Sequence, residues 1–462
     1  MRIKLDIPLQ IREIEKAIAS LPSKYNKTVE FLVTDTREAE EGDLFFALSG
    51  ANSSGEQYID EAIKKGAIPV TTTIKKAGIH VKDTRDALLD LSSYYLTKLD
   101  KLRERVCITG SVGKTTTKEL LTKIASSEYK THSTIKNFNN DIGVPLSILS
   151  APRDTEILIL ELGTNRHGEI SRLSMAVKPT LGIITNIGTA HLGQFGSKNL
   201  IAKEKACIAD GMQDKSRILV EYGEGLFDGI IHGQTVSTDS RCADYYLFPI
   251  KEDINGFEFD FLSNEVMLSN VRFNLPGRHI LSCLAFSISA SLKLGVKSEN
   301  IIASVSSLNT NYVRHKLIKM NGFAILDDSY NASRESVLAD FKFLQFYKSY
   351  PISALLGDIL ELGEDTERIH REIGAMAYKF GLCKLYLYGS YSVFTAAGAK
   401  EAGMPEQNIF TNTDTENPDK TAKDIIENHS ENEIILFKAS HKLNLPKIID
   451  TIKSKGRTDQ NA

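Results

Sequence analysis

Short apolar runs alternate with helical segments along most of the chain after residue 85. Nearer the N-terminus, such runs cover residues 105–109, 156–162, 180–186 and 216–220. Nearer the C-terminus, they cover residues 324–326, 352–356, 385–388 and 434–437. Apolar runs of this length are typical of strands buried on both faces, and their alternation with helices predicts parallel sheets. The pattern therefore predicts two consecutive α/β units, the second beginning near residue 311.

The first 84 residues follow a different pattern. Apolar stretches at residues 30–35 and 42–48 precede a helical segment at residues 58–65, and that segment ends at Gly66. Glycine directly after a helical segment is a typical C-terminal cap. This part of the chain is therefore predicted to form a small mixed α/β unit.

An amphipathic helix is predicted to lead out of this unit at residues 84–102. Its apolar side chains recur at helical spacing, at Ala87, Leu88, Leu91 and Tyr95. With this helix placed, the chain is predicted to be an α/β protein of three domains, at residues 1–84, 85–310 and 311–462.

Composition narrows the class of protein but not its chemistry. The 462 residues are 42% hydrophobic and 25% charged, as is ordinary for a folded soluble protein. The net charge of -3 gives no general reason to expect nucleic acid or an anionic membrane as a partner. The five cysteines form no CxxC pair, and no apolar run could span a membrane, so we expect a reduced, cytoplasmic protein.

A phosphate-binding loop is the strongest local signal. It follows a predicted strand and precedes a predicted helix, and it consists of Thr109, Gly110, Ser111, Val112, Gly113, Lys114, Thr115 and Thr116. The glycines let backbone N–H groups approach phosphate oxygens, Lys114 can reach the outer phosphates, and Thr115 can hold Mg²⁺. Ile108 stands where the general pattern has its first glycine, so the loop fits a shorter variant. The alternative is a turn with a solvated lysine.

Two more side chains are candidates around a triphosphate, whereas the local sequence gives Lys205 no special status. Glu161 follows a buried strand and suits Mg²⁺ coordination, although it could instead be a helix cap or a solvated acid. His191 also follows a strand and could ligate a metal or hold a phosphate, although an isolated histidine is more often structural. Lys205 lies in a predicted helix, where an isolated lysine is usually solvated.

Polar side chains cluster in three further segments. Residues 137–145 include Asn139 and Asn140, which could bind a polar substrate or could simply cap the next helix. Acids follow two strands of the C-terminal unit, at residues 327–328 and 358–361, and suit ribose hydroxyls or a metal. The segment 438–441, with a lysine and a histidine, follows the last strand and could supply positive charge.

Together these segments resemble the Mur ligase family, and the likeness runs from about residue 35 to residue 447. Within the family the chain is most similar to the dipeptide-adding branch. The segments that carry the resemblance are Asp35-Thr36-Arg37 with residues 42–45, the phosphate loop, residues 161–163 with 168–170, Asp327-Asp328-Ser329-Tyr330-Asn331-Ala332, and residues 357–363 with His370.

The resemblance implies an ATP-dependent, ADP-forming ligase. It would join D-alanyl-D-alanine to a UDP-N-acetylmuramoyl-tripeptide through an acyl phosphate, in the synthesis of peptidoglycan precursors. It implies a UDP-sugar-binding domain, a central ATPase domain and a Rossmann-like C-terminal domain, in a monomer. Because acyl phosphates hydrolyse, we expect the C-terminal domain to close onto the central one.

The resemblance also implies roles for particular side chains. Lys114, Glu161, His191 and Lys205 would be catalytic, with Lys205 carbamylated and with two Mg²⁺ held by the last three and Thr115. The phosphate loop, His279 and Asp328 would bind the nucleotide. The other substrates would contact Asp35, Thr36, Arg37, Asn139, Asn140, Tyr330 and Asn331.

The chain departs from the family pattern at several positions. Asparagines usual after His279 are replaced by Ile280 and Cys283, and Asn-Pro is replaced by Ser333-Arg334. Asp-Gly-His becomes Ser54-Gly55-Glu56, and Lys-Gly-Ser becomes Lys438-Ala439-Ser440. The predicted catalytic set is unchanged, so the departures predict intact ligation chemistry with altered substrate contacts.

Three other functions stay open. A paralogue could join a different carboxylate and amine, or a depsipeptide such as D-alanyl-D-lactate. A non-catalytic partner could use ATP to govern assembly, although none of the expected catalytic side chains is lost. A kinase or GTPase is disfavoured, because residues 186–189 lack the Asn-Lys-x-Asp guanine signature.

Overall fold

Three β-sheets, each flanked by helices, organise the molecule in the computed structural model. The structure describes residues 1–50, 54–74, 77–189, 192–223, 225, 227, 229–253, 256–275, 277–308 and 316–458. We call the parts built around the three sheets the first, central and C-terminal units.

The first unit has a five-stranded sheet in the order β1-β2-β3-β4-β5. Its elements are β1 (Arg2–Gln10), α1 (Ile11–Ala17), β2 (Thr28–Val33), β3 (Leu44–Phe46), α2 (Ile59–Lys64), β4 (Ile68–Thr71) and β5 (Ile79–His80). β1 pairs antiparallel with β2, and the remaining pairs are parallel. The sheet therefore contains both strand directions, which the sequence did not predict, while helices and strands together form the small α/β unit that it did.

The central unit has a nine-stranded sheet in the order β14-β13-β12-β11-β10-β9-β6-β8-β7. Its first elements are α3 (Thr84–Leu96), β6 (Glu104–Thr109), α4 (Lys114–Ala125), β7 (Thr131–Ser133), α5 (Gly143–Leu149), β8 (Ile157–Glu161), α6 (Glu169–Val177) and β9 (Leu181–Ile184). They are followed by α7 (Leu192–Phe195), α8 (Lys198–Ala206), β10 (Ile218–Glu221), β11 (Gln234–Ser237), β12 (Tyr245–Asp253), β13 (Gly256–Ser263), β14 (Met267–Phe273), α9 (His279–Lys293) and α10 (Ser298–Ser306).

The C-terminal unit has a six-stranded sheet in the order β15-β16-β20-β17-β18-β19. Its first elements are β15 (Lys316–Lys319), β16 (Phe323–Asp327), α11 (Arg334–Leu344), β17 (Ile352–Gly357), α12 (Thr366–Lys379) and β18 (Lys384–Tyr388). They are followed by α13 (Ser392–Glu401), β19 (Ile409–Asn412), α14 (Pro418–Asn428), β20 (Glu433–Lys438) and α15 (Pro446–Thr458). β15 is antiparallel to β16, and the other pairs are parallel.

Helix α3 joins the first unit to the central one. One apolar cluster runs from the first sheet through α3 to a face of the central sheet. The hydroxyl group of buried Tyr95 accepts a hydrogen bond from the N–H of Ile7 at 3.1 Å and donates one to the carbonyl of Ala151 at 3.4 Å. The Tyr95 hydroxyl group thus bonds to both units, and its side chain is buried in the cluster that joins them. The predicted connecting helix therefore forms part of the core.

The predicted strands after residue 85 are all present, but two features of the central unit differ from the prediction. β12, β13 and β14 extend the central sheet as an antiparallel edge. Helix α4 begins at Lys114, inside the phosphate loop, whereas the sequence predicts a helix from residue 118. Across the described residues, no helix has both the length and the apolar character needed to span a bilayer.

Candidate active site

The phosphate loop lies where β6 ends and α4 begins. Gly110 and Gly113 have φ angles of 146° and 84°, which side chains rarely adopt. The Nζ of Lys114 donates hydrogen bonds to the carbonyls of Gly110 and Ser111, at 2.8 and 3.4 Å, so the lysine folds over its own loop. The loop therefore presents backbone N–H groups, a helix N-terminus and a lysine to the same space.

The segment after β9 holds this loop in place. The side-chain amide of Asn186 accepts from the N–H of Val112 at 2.9 Å and donates to its carbonyl at 3.2 Å. Thr185 donates its hydroxyl to the same carbonyl at 2.6 Å. A Cβ on Gly110 would lie 1.9 Å from the Thr185 Oγ1, so only glycine fits there. The sequence did not reveal the role of Asn186, because β9 ends two residues earlier and gives no sign of the side chain's direction.

Glu161 lies beside the loop, at the carboxyl end of the neighbouring strand β8. It pairs with Ile108 in the sheet register, and it is 2% exposed. Its Oε2 accepts from the hydroxyl of Thr115 at 2.8 Å, and its Oε1 accepts from the Asn139 amide at 2.9 Å. The structure thus brings together three side chains that the sequence predicted separately.

Two buried groups support Glu161 from behind. Lys118 is 1% exposed and donates to the carbonyls of Thr134 and Lys136, both at 3.1 Å. Thr134 in turn accepts from the N–H of Glu161 at 2.8 Å. Lys118 was missed, although it shares the apolar face of α4 with Leu121, three residues further on, and this spacing was a usable signal.

Lys205 is buried rather than solvated, with 3% of its surface exposed. Burial lowers the pKa of Lys205 well below its usual value, and the nearby charge of Lys114 lowers it further, while Glu204 opposes both. The Glu204 carboxylate accepts from the N–H groups of Gly168 and Ile170, at 2.8 and 3.0 Å, where α6 begins. Glu204, another residue missed in the sequence, thereby fixes the helix that carries Lys205.

The C-terminal unit presents its own polar groups at the carboxyl ends of β16 and β20. Lys438 is buried between the carboxylates of Asp328, in a short contact, and Asp340, at 3.0 Å. Burial acts to lower the pKa of Lys438, but the two carboxylates outweigh it and the pKa is raised. Asp328 is thus held in a buried ion-paired cluster with Lys438 and Asp340.

Tyr330 connects this unit to the central one. Its hydroxyl group accepts a hydrogen bond from the Asn137 amide at 2.6 Å, and its ring lies edge-on to His441, with centroids 5.3 Å apart. Tyr330 and His441 border a cavity of about 250 Å³ together with Asp327 and Asp328. The residues that line this cavity all belong to the C-terminal unit, and its volume has room for part of a small polar substrate.

Other predicted residues lie in different settings. The Asn140 side chain accepts from the N–H groups of Ile142 and Gly143 at the start of α5, which is the capping alternative considered for it. Asn331 is exposed next to Tyr330. His191 lies outside the described residues, as does the side chain of His279, although its backbone begins α9.

The candidates of the first unit form a separate group after β2, in which Arg37 is exposed and Thr36 is buried. The Asp35 carboxylate accepts from the backbone and guanidinium of Arg37, whose side chain is 85% exposed. The backbone carbonyl of buried Thr36 accepts from Lys65 at 2.6 Å. None of these contacts reaches the phosphate loop.

The departures at residues 54–56 and 333–334 have structural counterparts. The Glu56 carboxylate accepts from Thr71, Thr72 and Thr73, with the shortest bond at 2.5 Å. Burial favours a raised pKa for Glu56, but these hydrogen bonds outweigh it and the pKa is lowered. In α11, Ser333 caps the helix and Arg334 pairs with Glu372 of α12.

The two residues of α9 that depart from the family pattern, Ile280 and Cys283, are buried. Cys283 donates its thiol to the carbonyl of Gly113 at 3.7 Å. A Cβ on Gly113 would lie 2.9 Å from that sulfur, so Cys283 packs directly against the phosphate loop. At residue 439, the alanine Cβ lies 2.6 Å from where a Cβ on Gly357 would stand.

Similarity to known proteins agrees with this geometry. The Mur ligase middle domain matches residues 108–291, which include the phosphate loop and Glu161. The UDP-N-acetylmuramoyl-tripeptide–D-alanyl-D-alanine ligase of Bacillus subtilis is 31% identical over 96% of this chain and 98% of its own. The chain belongs to the Mur ligase family.

Other Mur ligases extend the likeness. The ligase of the same name from Escherichia coli is 30% identical over 81% of this chain and 85% of its own. Among solved structures, MurF from Acinetobacter baumannii superposes with a TM-score of 0.86 at 25% identity, over 97% of this chain and 99% of that one. The MurF ligase from Thermotoga maritima in complex with ADP gives 0.78 at 25% identity, over 93% and 98%. The predicted family and three-domain fold class are confirmed.

The residues of this Mur ligase fit Mg²⁺ through oxygen atoms. Within the described ranges, no group of three or more His, Cys, Asp or Glu side chains is placed to hold a metal ion. The Thr115 hydroxyl and Glu161 carboxylate do converge beside the phosphate loop. Mg²⁺ prefers oxygen ligands, keeps several waters and usually takes one or two carboxylates plus phosphate oxygens, so a sparse protein set suits it.

Proposed function

We propose that this chain is an ATP-dependent ligase that adds D-alanyl-D-alanine to UDP-N-acetylmuramoyl-tripeptide and forms ADP and phosphate. The contact between Thr115 and Glu161 at the phosphate loop carries the chemical part of the proposal. It places a hydroxyl group and a carboxylate, both suitable Mg²⁺ ligands, where the triphosphate would bind. The similarity to the Bacillus subtilis ligase over 96% of the chain supports the choice of substrates.

The reaction consists of two transfers. A carboxylate oxygen of the tripeptide attacks the γ-phosphorus of ATP, ADP leaves, and an acyl phosphate forms. The amine of the dipeptide then attacks the acyl carbon, loses a proton, and expels phosphate. Lys114 and the backbone N–H groups of residues 110–115 bind the phosphates and offset their charge.

Thr115 would hold one Mg²⁺, and the neighbouring Glu161 would help to hold a second ion together with His191 and Lys205. Bound Mg²⁺ supplies positive charge that offsets the charge gathering on the transferred phosphoryl group. Asn139 orients Glu161 through its amide, and Lys118 with Thr134 fixes the strand end behind it.

We also propose that Lys205 is carbamylated. Burial makes an ammonium group costly at Lys205, whereas a carbamate turns the same side chain into an anion near the positive charge of Lys114. Labelled bicarbonate should give a carbamate carbon signal in the NMR spectrum of the wild type, and Lys205→Met should lack it. A spectrum without that signal in the wild type would refute the modification.

We propose that each of the three units binds a different substrate. Residues 1–84 would bind the UDP-sugar, with Asp35, Thr36 and Arg37 as contacts; residues 85–310 would bind ATP; residues 311–462 would bring the dipeptide. Asp328 and the loop residues 109–116, with His279, would contact the nucleotide. Asn139, Asn140, Tyr330 and Asn331 would contact the other substrates. We propose that the chain acts as a monomer in the cytoplasm.

A substrate panel with phosphate release as readout tests the function. UDP-N-acetylmuramoyl-tripeptide with D-alanyl-D-alanine should release phosphate in step with ADP, and Lys114→Met should abolish it. Release with a different acceptor, or with D-alanyl-D-lactate in place of the dipeptide, would reassign the substrates. An absence of release with every pair would refute ligation itself.

A further inference from the structure

The C-terminal unit meets the central one at three described places. The first is the hydrogen bond from Asn137 to Tyr330. At the second, the N–H of Gly193 donates to the carbonyl of Glu361 at 2.9 Å. The third is at Thr189, whose N–H and hydroxyl both donate to the carboxylate of Glu335, at 3.1 and 3.0 Å. Of these three contacts, the last involves a charged side chain.

The Glu335 contact continues into the phosphate loop. The N–H of Gly188, next to Thr189, donates to the hydroxyl oxygen of Ser111 at 2.8 Å. Ser111 in turn donates its own N–H to the carbonyl of Asn186 at 3.0 Å. Two consecutive backbone N–H groups therefore bind the phosphate loop on one side and the C-terminal unit on the other.

The space at Gly188 shows how close this approach is. A Cβ there would lie 3.1 Å from the Glu335 carboxyl carbon and 3.2 Å from the Ser111 Cβ. The backbone at Gly188 is thus enclosed between the phosphate loop and Glu335. A shift of Ser111 when phosphates bind would move the donors that hold Glu335.

Glu335 lies in the first turn of α11, an N-terminus that is held by a cap and by an ion pair. It is the second residue of α11, after Ser333, whose hydroxyl caps the helix, and Arg334, which pairs with Glu372. The departures from the family pattern at 333–334 therefore build a rigid support for Glu335. A carboxylate held this way accepts two hydrogen bonds at little further entropic cost.

We propose that Glu335 is a positioning residue that couples occupancy of the phosphate loop to docking of the C-terminal unit, through Thr189, Gly188 and Ser111. In this role Glu335 acts through its two hydrogen bonds with Thr189. It sets the fraction of nucleotide-bound molecules in which the C-terminal unit is docked on the central unit. The kinetic consequence rests on the proposed ligase function; the docking itself does not.

The exposed cysteines of the two units allow a direct measurement. Cys242 lies in the central unit and Cys383 in the C-terminal unit, while Cys107 and Cys283 are buried. In a Cys207→Ser background, spin labels on Cys242 and Cys383 would report the distance between the units by pulsed electron paramagnetic resonance. Distances are compared with and without Mg²⁺ and a non-hydrolysable ATP analogue.

Glu367 provides a matched control. It is also the second residue of a helix in the same unit, α12, but it pairs with Arg371 on the surface. Glu335→Gln and Glu367→Gln thus remove the same charge from equivalent helix positions. With the analogue bound, Glu335→Gln should show a larger long-distance population than the wild type or Glu367→Gln, and Glu335→Asp should restore part of the docked population.

Two further results complete the test. Thr189→Val should enlarge the same population, and the double variant with Glu335→Gln should exceed neither single variant. In ligase assays, Glu335→Gln should raise the KM for the amine substrate about tenfold, while thermal unfolding stays that of Glu367→Gln. Distance distributions of Glu335→Gln that superimpose on those of Glu367→Gln would overturn the proposal. Since this readout needs neither carboxylate nor amine, a failure of ligation would leave it interpretable.

Discussion

The hydroxyl of Thr115 lies 2.8 Å from the carboxylate of Glu161, across the gap between the first turn of α4 and the end of β8. The two residues are 46 positions apart in the chain and come together because β6 and β8 are adjacent parallel strands. A parallel sheet brings its carboxyl ends to one edge, so side chains there converge on one ligand.

Replacing Glu161 with glutamine should abolish most activity without unfolding the protein. The amide keeps the size of the side chain but loses the charge that would face Mg²⁺, so we expect kcat to fall on the order of 10³-fold. The Mg²⁺ concentration for half-maximal activity should rise, as measured by phosphate release across a magnesium titration. A kcat within about twofold of the wild type would contradict the role of Glu161.

Asn186 should matter for nucleotide binding although it belongs to no predicted site. Asn186→Asp can still accept from the Val112 N–H but cannot donate to its carbonyl, and it adds a negative charge near the phosphates. We expect its KM for ATP to rise about tenfold, and that of Asn186→Leu to rise further.

Titration with a fluorescent nucleotide checks this affinity, with Asn300→Leu as the comparison, because the Asn300 amide donates to Glu128 at 3.1 Å and belongs to no predicted site. An unchanged nucleotide affinity in Asn186→Leu would show that the phosphate loop keeps its shape without this amide.

Asp358 should make stability depend on pH. Burial raises the pKa of Asp358 to about 6 from 3.8, although the N–H groups of Tyr391 and Ser390 oppose this. Folding therefore takes up a proton between these two pH values, and stability falls as pH rises through the window. Above it, the buried charge costs about 3 kcal/mol.

Asp358→Asn keeps the acceptor for Tyr391 and removes the charge, so it should be more stable than the wild type near neutral pH and equal to it at about pH 4. Denaturant titrations at several pH values measure this, with exposed Glu364→Gln as the control. Equal pH slopes in Asp358→Asn and the wild type would rule out Asp358 as the cause.

Glu56 should behave in the opposite direction. Its pKa is lowered, so its contribution to stability is present above its ordinary pKa of 4.5 and is lost as pH falls below that value. Glu56→Gln should destabilise the first unit by about 1 kcal/mol at neutral pH, because an amide nitrogen cannot accept from the threonines. Denaturation of both proteins at neutral and acid pH should show the difference shrinking in acid, and a constant difference would argue against it.

The chemistry was predictable where it lies within one continuous segment. Residues 109–116 lead from the end of a strand into the first turn of a helix, and that order alone specifies the phosphate loop. Glu161 was accessible for the same reason, since a carboxylate that ends a buried apolar strand must lie at the sheet edge.

Contacts between distant segments were not predictable. The burial of Lys205 depends on Glu204 meeting the start of α6, and nothing in the local helix pattern indicates that meeting. The antiparallel strands β12 to β14 were missed because their apolar residues alternate with polar ones, whereas the apolar runs used for prediction were continuous. The partner of Glu335 likewise lies 146 residues away.

Gly193 and Gly363 meet backbone to backbone at the junction between the central and C-terminal units. A Cβ on Gly193 would lie 2.6 Å from the nitrogen of Gly363, and one on Gly363 would lie 2.8 Å from the Gly193 Cα. A single added methyl group at either position would act as a wedge, leaving each unit intact but holding the two apart. A chain altered in this way would take up nucleotide and yet form no peptide bond. The absence of a side chain at Gly193 and Gly363 is therefore as necessary to the assembled enzyme as its charged side chains are.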